Sequence, residues 1–170
     1  MTHAISLGGF KPVRHDQLRQ EYEHDTYRPQ QKLQEPSVCA DCGAVYDRGR
    51  WLWSERPAGA EEVVCPACQR TRDHYPAGFV FIAGPFFEAH REELMRLLRH
   101  HEEKAKGLHA LVRIMDVEDD EDSEDGGIVV TTTDIRLARD FGEALYHAYA
   151  GELEFHYNEG EKLLRVHWRR

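Results

Sequence analysis

The sequence predicts an α+β fold, and three observations lead to it. Two Cys-x2-Cys pairs, Cys39/Cys42 and Cys65/Cys68, mark a small module in the first half of the chain. Behind Pro85, and again behind Thr133, apolar residues recur at the spacing of an amphipathic helix. Short apolar runs between these helices, and a strict two-residue alternation at the C-terminal end, read as strands. The order after Gly84 is then αββαββ, an antiparallel sheet that buries its helices' stripes on one face.

Three segments follow. Residues 1–36 are polar, charged and rich in Gln, without a sustained period, and are expected to form a flexible N-terminal tail. Residues 37–84 form the cysteine module. Within it "RWLW" has strand character, and Pro66 behind Cys65 suits the first position of a short helix over "PACQRTRDH". "GFVFIAG", bounded by Gly and Pro, is a strand that closes the module.

Residues 85–170 form the α+β domain. Phe87, His90, Leu94, Leu97, Leu98 and His101 make the first helical stripe, and Gly107 is a reasonable stop. "ALVRIMDV" and "GIVVTT" are strands joined through an acidic loop at 116–127. Thr133 is expected to cap a second helix with the stripe Leu137, Phe141, Leu145 and Ala148, ended by Gly151. Leu153, Phe155 and Tyr157, then Leu164, Val166 and Trp168, alternate with polar residues on either side of "NEGE", which predicts a hairpin with one buried face.

At 170 residues the chain fits one domain, or a small module plus a modest domain. No apolar run approaches the roughly 20 residues of a membrane span. The N-terminal stretch lacks the apolar core of a secretory signal, so a cytoplasmic location is expected. The net charge of −9 is local in origin, because residues 116–125 hold eight acidic side chains and no basic one. Without them 23 acidic residues face 22 basic ones, so the charge does not argue against a nucleic-acid partner elsewhere. The run lacks the spacing of a calcium loop and reads as a solvated, self-repelling loop.

The cysteines follow C-x2-C-x22-C-x2-C. Each pair can wrap one side of a metal ion, and two pairs complete a tetrahedron of sulfur, the arrangement of structural Zn²⁺ in a zinc-ribbon or treble-clef-like module. Cys39, Cys42, Cys65 and Cys68 are the expected ligands of one such ion per chain. An iron–sulfur cluster takes the same four ligands, and redox or disulfide chemistry is the other alternative. Four sulfur ligands leave no open position for a metal-activated water.

Arg48, Arg50, Arg70 and Arg72 lie within a few residues of these cysteines. They can offset the −2 charge of four thiolates on Zn²⁺, or, with an exposed Trp51, make a surface for phosphate and bases. Trp51 and Trp53 can equally be the module's small core. No metalloprotease, nucleophile-elbow, phosphate-loop or dinucleotide motif occurs, and the carboxylates pair in no recognisable cleft, so a non-catalytic protein is expected.

"CADCGAVYDRGRWLW", "CPACQRTRDHYPAGF", "TTTDIRLARDFGEAL" and "GELEFHY" carry a resemblance. Over most of residues 30–170 the chain resembles a group of small bacterial zinc-binding proteins. Through them it is similar, more loosely, to the N-terminal region of the archaeal and eukaryotic adaptor for nuclear export of the large ribosomal subunit. The adaptor's extra zinc-finger cysteines have no counterpart here. The resemblance implies a zinc module and an α+β domain that dock on ribosomal RNA or ribosomal protein, with Arg136 and Arg139 at the basic positions of the helix start.

The expectation is thus a zinc-stabilised protein of the large ribosomal subunit or of structured RNA, acting in assembly or in stress-linked idling of translation. Its contact residues would be Arg48, Arg50, Trp51, Arg70 and Arg72 on the module, and Arg136, Arg139, Arg165 and Arg169 on the second domain. The rivals are a protein-interaction adaptor with zinc as scaffold only, and an enzyme acting on a small substrate between the two domains.

Overall fold

A computed structural model describes residues 25–27, 29, 32–158 and 160–170. These residues form an α+β fold with three helices and two mixed sheets. The smaller sheet has the order β3-β2-β1-β4, from strands of three residues each: β1 (Ser37–Cys39), β2 (Val45–Asp47), β3 (Arg50–Leu52) and β4 (Glu61–Val63). Helix α1 (Pro66–Arg72) follows, with Cys65 as its N-cap. The larger sheet has the order β6-β7-β5-β9-β8. Its strands, of six residues each, are β5 (Gly78–Ala83), β6 (Ile114–Asp119), β7 (Gly127–Thr132), β8 (Glu152–Tyr157) and β9 (Leu164–Arg169). Two helices, α2 (Pro85–Leu108) and α3 (Ile135–Tyr149), cover one of its faces.

Strand alternation sets this core. Val80 and Ile82 of β5, Ile128 and Val130 of β7, and Leu164, Val166 and Trp168 of β9 share one parity and are almost fully buried. Phe87, Leu94 and Leu98 of α2 and Leu137, Phe141 and Leu145 of α3 close on them. The opposite parity, Phe79, Phe81, Val129, Thr131, Arg165 and His167, forms the open face of the sheet.

The structure corrects the expected architecture in several places. Gly78–Ala83 does not close the cysteine module but is the central strand of the larger sheet, because its Val and Ile are buried by the helices on one side and its backbone by strands on both edges. The sheet is mixed and not antiparallel, since β9 lies parallel to β5. The hairpin's more apolar strand takes the interior position, which leaves β8, with Glu152 and Glu154, at the edge.

Asp134, not Thr133, caps α3, with its carboxylate accepting from the N–H of Arg136 at 2.8 Å. The Thr133 hydroxyl is taken by the backbone of Leu111 and Arg113. Ala148 is exposed, and Gly142 shares the buried face in its place. A Cβ on Gly142 would lie 2.6 Å from Val166 Cγ1, so the small residue sets how closely α3 approaches β9.

The acidic run is only partly a loop, because Asp116, Glu118 and Asp119 belong to β6. There they lie along a sheet edge, where charge discourages pairing with another chain. Residues 1–24 of the expected tail lie outside the described residues. Further along, Asp25 pairs with Arg70 at 2.9 Å, and the hydroxyl of Tyr27 donates to Asp73 at 2.8 Å. Among the described residues, no helix is long and apolar enough to cross a membrane.

Candidate metal centre

Cys39 ends β1, and the chain turns back into β2 within five residues. Gly43 makes this possible by adopting φ +75°, a conformation costly for other residues. Two backbone bonds fix the turn: Gly43 N–H to Cys39 O at 2.9 Å, and Cys39 N–H to Ala44 O at 2.8 Å. The second pair is built differently. Cys65 sits at the mouth of α1, where its sulfur accepts from the N–H of Cys68 at 3.4 Å, and Cys68 follows in the first turn. Parallel pairing of β1 with β4 brings the pairs together, and the N–H of Cys65 donates to Cys39 Sγ at 3.3 Å.

The four sulfur atoms lie within 4.8 Å of one another, and no disulfide joins them. Cys42 Sγ and Cys65 Sγ are 3.8 Å apart. A tetrahedron with metal–sulfur bonds of about 2.3 Å has edges of about 3.8 Å, so this spacing fits a metal ion. Three of the four cysteines are buried, beside Ala44, Ala67 and Ala110.

Electrostatics differ around the ring. Burial raises the Cys39 thiol, but the N–H groups of Cys65, Cys42 and Asp41 outweigh it and bring the group to about 7. Burial pushes the Cys65 thiol up, with only the N–H of Cys68 opposing among its main influences. Burial also raises Cys68, against the pull of the Arg113 guanidinium.

Arg113 is the residue that sequence reasoning missed. It lies in the larger domain, yet its Nη2 is 3.4 Å from Cys65 Sγ and 3.5 Å from Cys68 Sγ. Its one sequence signal is a charge inside the apolar run "ALVRIM".

The nine arginine and tryptophan candidates do not form one surface. Arg70 is only 6% exposed and points inward, where it binds Asp25 and the Tyr75 carbonyl and lies 4.5 Å from the Tyr27 ring centroid. It holds the segment entering the module and is unsuited to RNA contact. Arg72 reaches across to Asp41 at 2.5 Å and so ties one cysteine pair to the other. Trp51 packs against the cysteine cluster and, at 5.4 Å between centroids, against Tyr46, so its indole belongs to the module's core. Trp53 donates its Nε1–H to the Lys106 carbonyl at the end of α2.

Arg48 and Arg50 are exposed at the tip of the β2–β3 hairpin, where Arg48 and Gly49 both have positive φ. Arg136 is held by both oxygens of Asp134, and Arg139 by Glu143 at 3.3 Å, on the helix layer. Arg165 and Arg169 lie on the other side of the sheet, the first over the Phe79 ring at 5.5 Å and the second paired with Asp125. The sheet separates these two pairs, so a continuous basic stripe through all four is ruled out. No family model matches the chain, and no curated protein or solved structure is significantly similar to it.

Proposed function

We propose that the chain is a non-catalytic protein built around one structural Zn²⁺ in a treble-clef-like module. The treble-clef reading is favoured over a zinc ribbon because the second ligand pair comes from a helix N-terminus behind a β-hairpin. Cys39, Cys42, Cys65 and Cys68 would hold the ion, which supplies cross-linking of the two pairs and no open coordination position. The module would dock on the large ribosomal subunit or on structured RNA, in the setting of assembly or stress-linked idling of translation.

The observation that carries the docking reading is the hairpin tip. Arg48 has 89% of its side chain exposed, with an ion-pair partner only in Asp47 at 3.9 Å, and Arg50 forms no ion pair among the described residues. They flank the turn that ends β2, the strand leaving the first cysteine turn, and begins β3, so the metal would fix their position. The resemblance to ribosome-docking proteins supplies the partner class. Arg165, on the open sheet face, is the best second contact.

Sedimentation of cell lysate, with this protein followed across ribosomal fractions, tests the reading. Arg48→Ala with Arg50→Ala should move the protein out of those fractions and flatten the salt dependence of binding, since each neutralised phosphate releases counterion. Unchanged co-sedimentation of the double variant would overturn it. The open face bearing Phe79 and Phe81 favours a second reading, a protein-interaction adaptor. Association that survives nuclease treatment and is lost with Phe81→Ser would support that adaptor.

A further inference from the structure

The segment 110–113 joins two cores. Ala110 is 2% exposed and packs in the cysteine cluster, Leu111 packs against the same cluster, and Val112 belongs to the core of the larger sheet. Arg113 follows, and its backbone is fixed from the domain side. Its N–H donates to Thr133 Oγ1 at 2.9 Å, and its carbonyl accepts from the Thr133 N–H at 2.9 Å. From that anchor the guanidinium crosses to Cys65 and Cys68, while its Nε is buried without a hydrogen-bond partner among the described residues.

A guanidinium stays charged in any protein environment, and taking it out of water is costly without a compensating negative charge. The side-chain acceptors within reach of its Nη2 among the described residues are the sulfurs of Cys65 and Cys68, so the compensation here comes from sulfur. Four thiolates on a divalent cation carry a net charge of −2, and they hold their sulfurs in fixed positions. Hydrogen bonds to an ionised acceptor are roughly twice as strong as neutral ones. The loaded site is therefore the state that best satisfies Arg113.

We propose that Arg113 makes the metal centre a latch between the cysteine module and the sheet domain: metal occupancy holds the module docked, and docking tightens metal binding. The inference rests on the zinc reading above and goes beyond it, because a purely local structural zinc would hold only its own module. By linkage the two effects are equal in size. Loss of the ion would release the module together with the Arg48–Arg50 hairpin tip, and so change how that tip stands relative to Arg165 on the sheet.

The test uses the full chain with zinc content measured first. A chain without stoichiometric zinc defeats the zinc reading itself, whereas a loaded chain without coupling defeats only the latch. Arg113→Met keeps the length of the stem and removes the charge. It should weaken zinc affinity 10–100-fold in competition with a chromophoric chelator, as partners of metal ligands commonly do. Arg113→Lys should recover part of that loss.

Amide hydrogen exchange then reads the docking. In the wild type, removal of zinc should speed exchange at 110–114 and at Thr133, while β5, β7 and β9 stay protected. Arg113→Met should show the faster exchange at 110–114 with zinc bound. Zinc affinity of Arg113→Met within twofold of the wild type, or exchange at 110–114 indifferent to zinc, overturns the latch. If Arg113→Met fails to fold, the wild-type exchange measurement decides alone.

Discussion

The two parts of the molecule are held together by different means. In the sheet domain, fifteen buried residues, among them Phe87, Phe141 and Trp168, fill the space between six-residue strands and two helices. Around the cysteines, among the described residues, the buried cluster has six members, three cysteines and three alanines, of which Ala110 comes from the sheet domain; the three-residue strands of the module add the buried Val38 and Val45. Apolar burial stabilises in proportion to area, at roughly 25 cal/mol per Å², so the first part has a large core and the second a small one. The difference teaches that the module's stability has to come from covalent-strength cross-links or a metal, as in other small units.

The largest expected effect breaks the comparison at its weaker side. On the proposed zinc reading, chelation of the metal, or Cys65→Ser, should unfold residues 37–75 while the sheet domain keeps a cooperative thermal transition, because the binding free energy of a structural zinc site, about 10–16 kcal/mol, is folding free energy. Proteolysis mapped before and after chelation checks this. A single transition lost in one step across the whole chain would show that the two parts are one cooperative unit.

On the other side, Phe141→Ala should cost about 3–5 kcal/mol in denaturant unfolding. The residue is fully buried between α3 and the sheet. Zinc stoichiometry should not change. Gly78→Ala should follow at about 1–3 kcal/mol, the usual range for overpacking. Its Cβ would meet Ala138 Cβ at 2.5 Å and Thr132 Oγ1 at 2.4 Å.

Asp134→Ala should cost about 1 kcal/mol through the lost cap of α3. Burial raises this carboxyl, but the guanidinium and N–H of Arg136 outweigh it and hold it below its ordinary value. A depressed carboxyl contributes stability above its unfolded pKa of about 3.9 and loses it as pH falls through the lower native value. The gap between wild type and variant should therefore be constant near neutral pH and shrink below about pH 4. A gap that widened in acid would contradict the pairing.

The smallest effect belongs to the acidic loop. Replacing 120–125 with a short Gly/Ser turn should leave stability within about 0.5 kcal/mol, as surface changes do. The swap spares β6, but it removes the Asp125–Arg169 pair, an exposed contact worth little.

Much of this was legible beforehand because it depends on neighbours in the chain. The cysteine pairs, the proline at the start of α1, the stripes of α2 and α3, and the alternation of β8 and β9 are all patterns within about twenty residues. The acidic run and the helix cap were read less well. Edge pairing drew Asp116, Glu118 and Asp119 into β6, and the neighbouring backbone claimed Thr133 and left the cap to Asp134.

Local spacing alone determined the α+β class, the close approach of four thiols and the two amphipathic helices. Only the tertiary structure decided that β5 runs through the middle of the larger sheet, that β9 lies parallel to it, that Arg70 turns inward, and that Arg113 reaches the sulfurs from 45 and 48 residues away. The physical reason is that a side chain's period is set by its own backbone. Its partners are set by which distant surfaces most fully bury their apolar area and satisfy their charges, and no sequence window contains both sides of that choice.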